Sequence, residues 1–275
     1  MPSSFKDRSK QELRTVLLHN LNPAIKALTV IVCILILSIF FDPVTPLISI
    51  TFTILVTLLL GKVSWKRWLL LFSPFLFFAI VYIWSSMWFA EVEAGDTILW
   101  QWGFLTMTDS GLETAISLGL RVLSFSVLSL LFVLTTKPVD FILSLMQQCK
   151  LPPKLAYGIM AGYRFLPLIR EEFSIIRSAH RIRGVKQKTA SLPERIRNLK
   201  RYIIPLLAGA IRKAERTALA MESKGFTGEG DRTFYRRFHV SGKDWLFLFL
   251  MVSGILMSVF VSWSLGTLGL YQKEL

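Results

Sequence analysis

Cysteine and histidine are scarce in this sequence, and phosphate-binding glycine loops are missing from it. Its 275 residues hold two cysteines, Cys33 and Cys149, and three scattered histidines, His19, His180 and His239. That excludes a disulfide framework, because one cysteine lies in an apolar run and the other in a basic region; both read as packing residues. It also excludes a metal centre, since no ligand spacing of a zinc type exists. Gly61-Lys62 is followed by Val63 and has no glycine five residues earlier, so no nucleotide phosphates are cradled here. Any ATP chemistry must come from a partner. The apolar run beginning at Ala24 lacks a small-residue cleavage site and reads as a spanning helix rather than a leader.

What the sequence has is apolar length and positive charge. It is 53% hydrophobic with a formal net charge of +14, and its mean hydropathy is +0.52. A soluble protein of this composition could not cover its apolar surface. A membrane protein can, with its charges collected in cytoplasmic loops. Five stretches come near the ~20 apolar residues that cross a bilayer: Ala24–Phe41, Val44–Leu60, Trp68–Trp88, Leu112–Leu134 and Asp244–Leu265. Asp42-Pro43 ends the first and Gly61 the second, and Pro74 predicts a kink in the third. The expected fold is therefore all-α and polytopic, with about five transmembrane helices.

Orientation follows from the cations. The head carries Lys6, Arg8, Lys10 and Arg14, and the second connection carries Lys62, Lys66 and Arg67. The segment from Glu91 to Asp109 holds four carboxylates and neither lysine nor arginine. The N-terminus is thus expected inside and the acidic loop outside, with Trp84, Trp88, Trp100 and Trp102 as an interfacial belt. From Thr135 to Lys243 there are 22 basic and 8 acidic residues, so this one insertion holds the entire +14 surplus. The expected organisation is a four-span membrane domain over 1–134, a cytoplasmic helical segment over 135–243, and a last span and tail over 244–275.

A structureless connection of that length would be rare, and the periodicity predicts three helices. A short one opens at Pro138 and stops before Leu151-Pro152-Pro153. A second runs over about Leu155–Arg183, containing Pro167, and a third over about Pro193–Lys224, containing Pro205. Gly158 and Gly162 on the second, and Ala210, Ala214 and Ala218 on the third, repeat at one-turn spacing. Small residues so placed let two backbones approach, so the two long helices are expected to cross there. Other faces are basic, with Arg170, Arg177, Arg181 and Arg183 on one helix and Arg195, Arg197, Lys200, Arg201, Arg212, Lys213 and Arg216 on the other. Anionic lipid would attract such faces at about 1 kcal/mol per residue.

Both long helices end alike. One finishes Arg181-Ile182-Arg183-Gly184, the other Glu222-Ser223-Lys224-Gly225. Glycine permits a left-handed cap, and a cation in the last turn faces the negative end of the helix dipole. Capping alone would account for either ending. Occurring twice, it also makes two cationic tips that could dock a partner.

At these residues the sequence resembles the transmembrane (T) component family of energy-coupling factor transporters, which includes the coupling subunits of cobalt and biotin importers. The carrying stretches are Leu21-Asn22-Pro23-Ala24-Ile25-Lys26, Arg164-Phe165-Leu166-Pro167-Leu168-Ile169, Ala179-His180-Arg181-Ile182-Arg183-Gly184 and Ala214 through Phe226. The resemblance covers nearly the whole chain. It implies a non-catalytic scaffold in the bacterial plasma membrane with no cofactor of its own. The implied partners are two ABC-type ATPase subunits, a substrate-binding membrane subunit (S component) and the lipid bilayer, with no nucleic acid.

Two cytoplasmic coupling helices would transmit ATPase motion to that S component during vitamin or micronutrient import. By position, Ile182, Arg183 and Gly184 match the first ATPase-coupling motif and Ser223, Lys224 and Gly225 the second. The family usually has arginine where this chain has Lys224, and lysine lacks the planar fork that grips a carboxylate through two bonds.

Two other classes compete with this reading. A membrane-bound enzyme of lipid or polyprenyl metabolism would need paired carboxylates or a histidine cluster. The adjacent pair Glu171-Glu172 reads instead as a solvated helix face. A conventional ABC permease subunit would carry intramembrane charge along its own path. Of the charges in the spans only Glu113 and Arg121 qualify for such a path, and they read equally well as an interfacial residue and a structural cation.

Overall fold

The computed structural model describes residues 17–88, 98–102, 105–183, 192–228 and 233–267. A 3-10 turn, Leu17–Asn20, precedes α1 (Pro23–Ile39), α2 (Val44–Gly61) and α3 (Trp65–Trp88). A short hairpin, β1 (Ile98–Trp102) and β2 (Leu105–Thr108), pairs antiparallel. There follow α4 (Asp109–Thr135), α5 (Pro138–Gln148), α6 (Pro153–Ile182), α7 (Leu192–Ser223) and α8 (Gly242–Ser264). The protein is an all-α polytopic membrane protein to which that one hairpin adds two short strands. Among the described residues four helices, α2, α3, α4 and α8, have the length and hydropathy to cross a bilayer. The apolar α1 has 17 residues, about 25 Å of helix.

The helix ends follow their local chemistry. Pro23 occupies the first turn of α1, and Asn22 Oδ1 accepts from Ala24 N at 3.1 Å. Asp42 Oδ2 accepts from Thr45 N at 2.7 Å in the first turn of α2. Thr108 caps α4 through Gly111 N at 3.2 Å, which starts that helix three residues before the apolar run does. Ser241 and Asp244 form a reciprocal capping box on α8. Both α6 and α7 continue as helix through their internal prolines, Pro167 and Pro205.

The chain divides into two compact units, one of Met1–Ser144 with Phe238–Leu275, the other of Leu145–Arg237. In the first, Cys33, Leu37, Val56, Leu131, Met251 and Ile255 belong to one apolar cluster contributed by α1, α2, α4 and α8. Cys33 is fully buried there, a packing residue as its context indicates. Ser49 and Ser258 share a hydrogen bond of 2.9 Å between α2 and α8, and small hydroxyl residues of this kind let helices approach in lipid. A methyl on Gly119 of α4 would overlap the Ile83 side chain of α3. Glycine is therefore what brings α3 against α4, and α3 otherwise buries only Trp68 and Ala79 among the described residues.

Polar joints close both ends of this cluster. At one end Arg121 of α4 donates to Phe40 O, the carbonyl at the C-cap of α1, and lies 3.9 Å over the Phe41 ring. Beside it Ser262 of α8 donates to Asp42 Oδ2 at 2.6 Å. Arg121 is thus a structural cation that satisfies an orphan helix carbonyl. At the other end Lys26 Nζ donates to Leu18 O at 2.7 Å and to Thr135 O at 3.0 Å. There Asp244 Oδ1 accepts from Asn22 N at 2.7 Å.

Candidate coupling helices

The second unit is built on α6 and α7, which run antiparallel. Four contacts mark the register. Tyr157 and Phe226 stack edge to face with centroids 5.4 Å apart. Lys213 Nζ bonds Glu172 Oε2 at 2.5 Å, Phe173 meets Tyr202 at 5.7 Å, and His180 meets Tyr202 at 5.1 Å. Early residues of α6 therefore face late residues of α7 along the whole seam. Glu172, expected on a solvated face, is one member of an interhelical ion pair. Lys213, expected on the basic face of α7, is the other.

The seam does not use the small residues that the spacing singled out. Gly158, Gly162, Ala210, Ala214 and Ala218 are all exposed, and nothing lies within 4 Å of where a β-carbon on either glycine would sit. The expectation that the helices cross at these five residues is corrected. The physical reason is that the aromatic and charged pairs lie on a neighbouring stripe of each helix, and they set the register. The small residues instead share an outward face with exposed apolar side chains: Leu155, Ile159, Tyr163 and Leu166 on α6, and Leu207 and Ile211 on α7.

The two cationic tips lie at opposite ends of the seam. Arg183 is the C-cap of α6, its N–H bonded to Ala179 O at 3.2 Å, while Gly184 lies outside the described residues. Ile182 is 87% exposed beside it. At the other end Gly225 adopts φ 80°. Its N–H reaches Glu222 O at 2.8 Å, and Phe226 N reaches Met221 O at 3.0 Å. This is the left-handed glycine cap that the sequence predicts, with its paired bonds to the last carbonyls. Ser223 and Lys224 form the exposed shoulder of that cap, and Phe226 pins it onto Tyr157 of the other helix. About 26 residues of α6 separate Tyr157 from Arg183, so the tips stand roughly 40 Å apart.

Each tip borders a cleft made jointly by both helices. Lys224 and Arg164 border one of about 520 Å³ whose walls include Tyr157, Met160, Phe165 and Phe226. Arg183, Lys200 and Arg201 border another of about 550 Å³ with Ile176, Ile204 and Pro205 in its walls. Chemically these are apolar recesses with cationic rims, suited to an apolar side chain flanked by carboxylates. Sequence reasoning missed both, because each is formed by residues far apart in the chain. The segment Arg164 to Ile169 was a signal for only one wall of the first.

Residues 15–235 match the family of cobalt transport proteins, CbiQ. The chain belongs to that family. It is 28% identical over 243 residues to the energy-coupling factor transporter transmembrane protein EcfT of Streptococcus equi, covering 86% of this chain and 89% of the relative. The EcfT of Limosilactobacillus fermentum is 31% identical over 232 residues, covering 80% and 84%. That of Bacillus subtilis is 28% identical over 249 residues, covering 84% and 88%. With the CbiQ family the chain joins the transmembrane components of energy-coupling factor transporters. The lipid-enzyme and conventional-permease readings fall away.

Proposed function

We propose that this chain is the coupling subunit of an ATP-driven vitamin or micronutrient importer, and that Arg183 and Lys224 are its docking residues on two ABC-type ATPase subunits. The observation that carries this reading is the pair of cationic tips, each exposed, each bordering an apolar recess, at the two ends of one antiparallel helix pair. Two separated, similar sites suit two similar partners. The motifs are Ile182-Arg183-Gly184 and Ser223-Lys224-Gly225, and the single lysine makes the second a point charge where the first offers a fork. ATP hydrolysis resides in the partners, and this chain acts without a cofactor. The exposed small and apolar face of α6 and α7 receives the substrate-binding membrane subunit, with Gly158, Gly162, Ala210, Ala214 and Ala218 permitting close helix approach to it. The organisation is that of a four-span segment over 1–134, coupling helices over 135–243 and a final span over 244–275. It sits in the bacterial plasma membrane with the N-terminus cytoplasmic, supported by the positive charge of the insertion.

The test is co-purification from detergent. Wild-type protein is expected to bring down ATPase subunits, and Arg183→Glu and Lys224→Glu are each expected to lower the recovered ATPase at least fivefold. Unchanged recovery with both reversals together would refute the assignment.

A further inference from the structure

The segment that carries the coupling helices leaves the membrane helices after Thr135, the last residue of α4, and rejoins them near Asp244, in the first turn of α8. At both places it is tied to the same short stretch, Leu18 to Lys26. Lys26 is 1% exposed. Its ammonium donates to Leu18 O at 2.7 Å and to Thr135 O at 3.0 Å, the latter the final carbonyl of α4. Four residues earlier Asn22 N donates to Asp244 Oδ1 at 2.7 Å, and Asp244 Oδ2 accepts from Ser241 N at 2.7 Å. Leu18 is buried, and a methyl on Gly61 would touch both its side chain and that of Thr135 at 3.4 Å. The ends of α2 and α4 and the starts of α1 and α8 therefore meet at one point.

These bonds are unusual in what they join. A lysine on the first turn of α1 has no local need of a carbonyl 109 residues away. An ammonium taken out of water is costly unless its donors are used, so the pocket exists to hold it. The end of α4 and the start of α8, the two membrane-helix ends that lead to the coupling helices, converge on it. A coupling unit that delivers force needs its two attachments fixed; otherwise its motion would be spent in the connecting segments.

We propose that Lys26 is a positioning residue for energy coupling, the hub of a clamp that holds both passages between the membrane helices and the coupling helices in fixed register. The role rests on the coupling function proposed above. It adds a site that lies outside the two docking tips and is made entirely within the membrane unit.

Pulsed EPR distances in the purified full-chain complex test it. Spin labels replace exposed Lys137 and Val240, one on each passage, with Cys33 and Cys149 changed to alanine. A control pair sits at exposed Ser38 and Ser253. With the clamp intact, the 137–240 distance is narrow and stays the same when MgATP and vanadate trap the ATPases. Lys26→Met, which keeps the volume and removes the donors, is expected to broaden it at least twofold and to make it shift on trapping, while the control pair stays narrow and ATPase activity is retained.

A narrow, nucleotide-independent distance in the variant overturns the proposal. So does equal broadening of the control pair, which would make Lys26 a packing residue only. Should Lys26→Met not assemble, Asp244→Asn carries the same test from the other passage. Failure of both to assemble overturns it too, since the clamp would then be a condition of folding. If the wild-type chain retains no ATPase, the proposed function fails, and the distance widths without nucleotide still decide the clamp.

Discussion

Replacing Asp244 with alanine should be among the most damaging single changes to the membrane unit, and its cost can be worked from the contacts. The carboxylate is 2% exposed. One oxygen accepts from Asn22 N and the other from Ser241 N, each at 2.7 Å. A hydrogen bond to a charged group contributes about 1.5–3 kcal/mol, and a buried donor left without a partner loses its full desolvation. An acidic side chain in the first turn of a helix adds about 0.3–1 kcal/mol through the dipole. Since Ser241 is exposed and its N–H can turn to water, the expected loss is about 3–5 kcal/mol. For a protein of this size that corresponds to a fall in Tm of about 10 °C, read by the temperature at which detergent-purified protein loses monodispersity. Asp244→Asn keeps one acceptor and should lose about half as much. A fall below about 2 °C for the alanine variant would refute the reasoning, showing that the two N–H groups are satisfied some other way.

Other perturbations test separate parts of the structure. Gly119→Val should cost about 1–3 kcal/mol by forcing Ile83 aside, and Ile83→Ala in the same chain should recover part of it in the same melting assay. His19 is held below its ordinary pKa by burial first and then by Lys26 and Lys137. Its folded pKa is depressed, so the unfolded chain binds the extra proton. Stability is then full above the ordinary value of about 6.5 and declines as pH falls below it. His19→Gln should flatten that decline in a melting series from pH 7.5 to 5. Reversing Glu172 to lysine or Lys213 to glutamate should each loosen the seam of α6 and α7, seen as faster hydrogen exchange, and the double reversal should restore it. The two side chains are 33% and 43% exposed, which limits their coupling to about 1 kcal/mol or less.

Much of this molecule was legible before folding, and the reason is local. The spans could be read because lipid leaves backbone groups no partner but their own helix, so each crossing is announced by continuous apolar length. The cap at Gly225 could be read because a left-handed residue and its paired bonds involve only Met221 to Phe226. Arg121 could be recognised as a charge inside a span, although not the carbonyl it serves. The hairpin between Ile98 and Thr108 could not, since its two strands are too short to show a period.

The seam shows where local reading stops. Gly158, Gly162 and the alanines of α7 announced that some helix could approach them, but a permissive surface does not choose its partner. Tyr157 with Phe226, and Glu172 with Lys213, made that choice, and neither pair has a signature because each joins residues 41 or more positions apart. Lys26 makes the same point more sharply. In sequence it is one cation near the start of an apolar run.

The sequence by itself determined that this chain lives in a membrane, along which segment its positive charge collects, where its helices lie to within a few residues, and which two tips carry a cation before glycine. All of these follow from spacing within a few turns or from hydropathy summed along a segment. Only the tertiary structure decided that the long helices pair antiparallel with those tips at opposite ends, and that Lys26 joins Leu18 to Thr135 while Asn22 reaches Asp244. Those contacts depend on which distant surfaces meet, and a one-dimensional pattern holds no term for that.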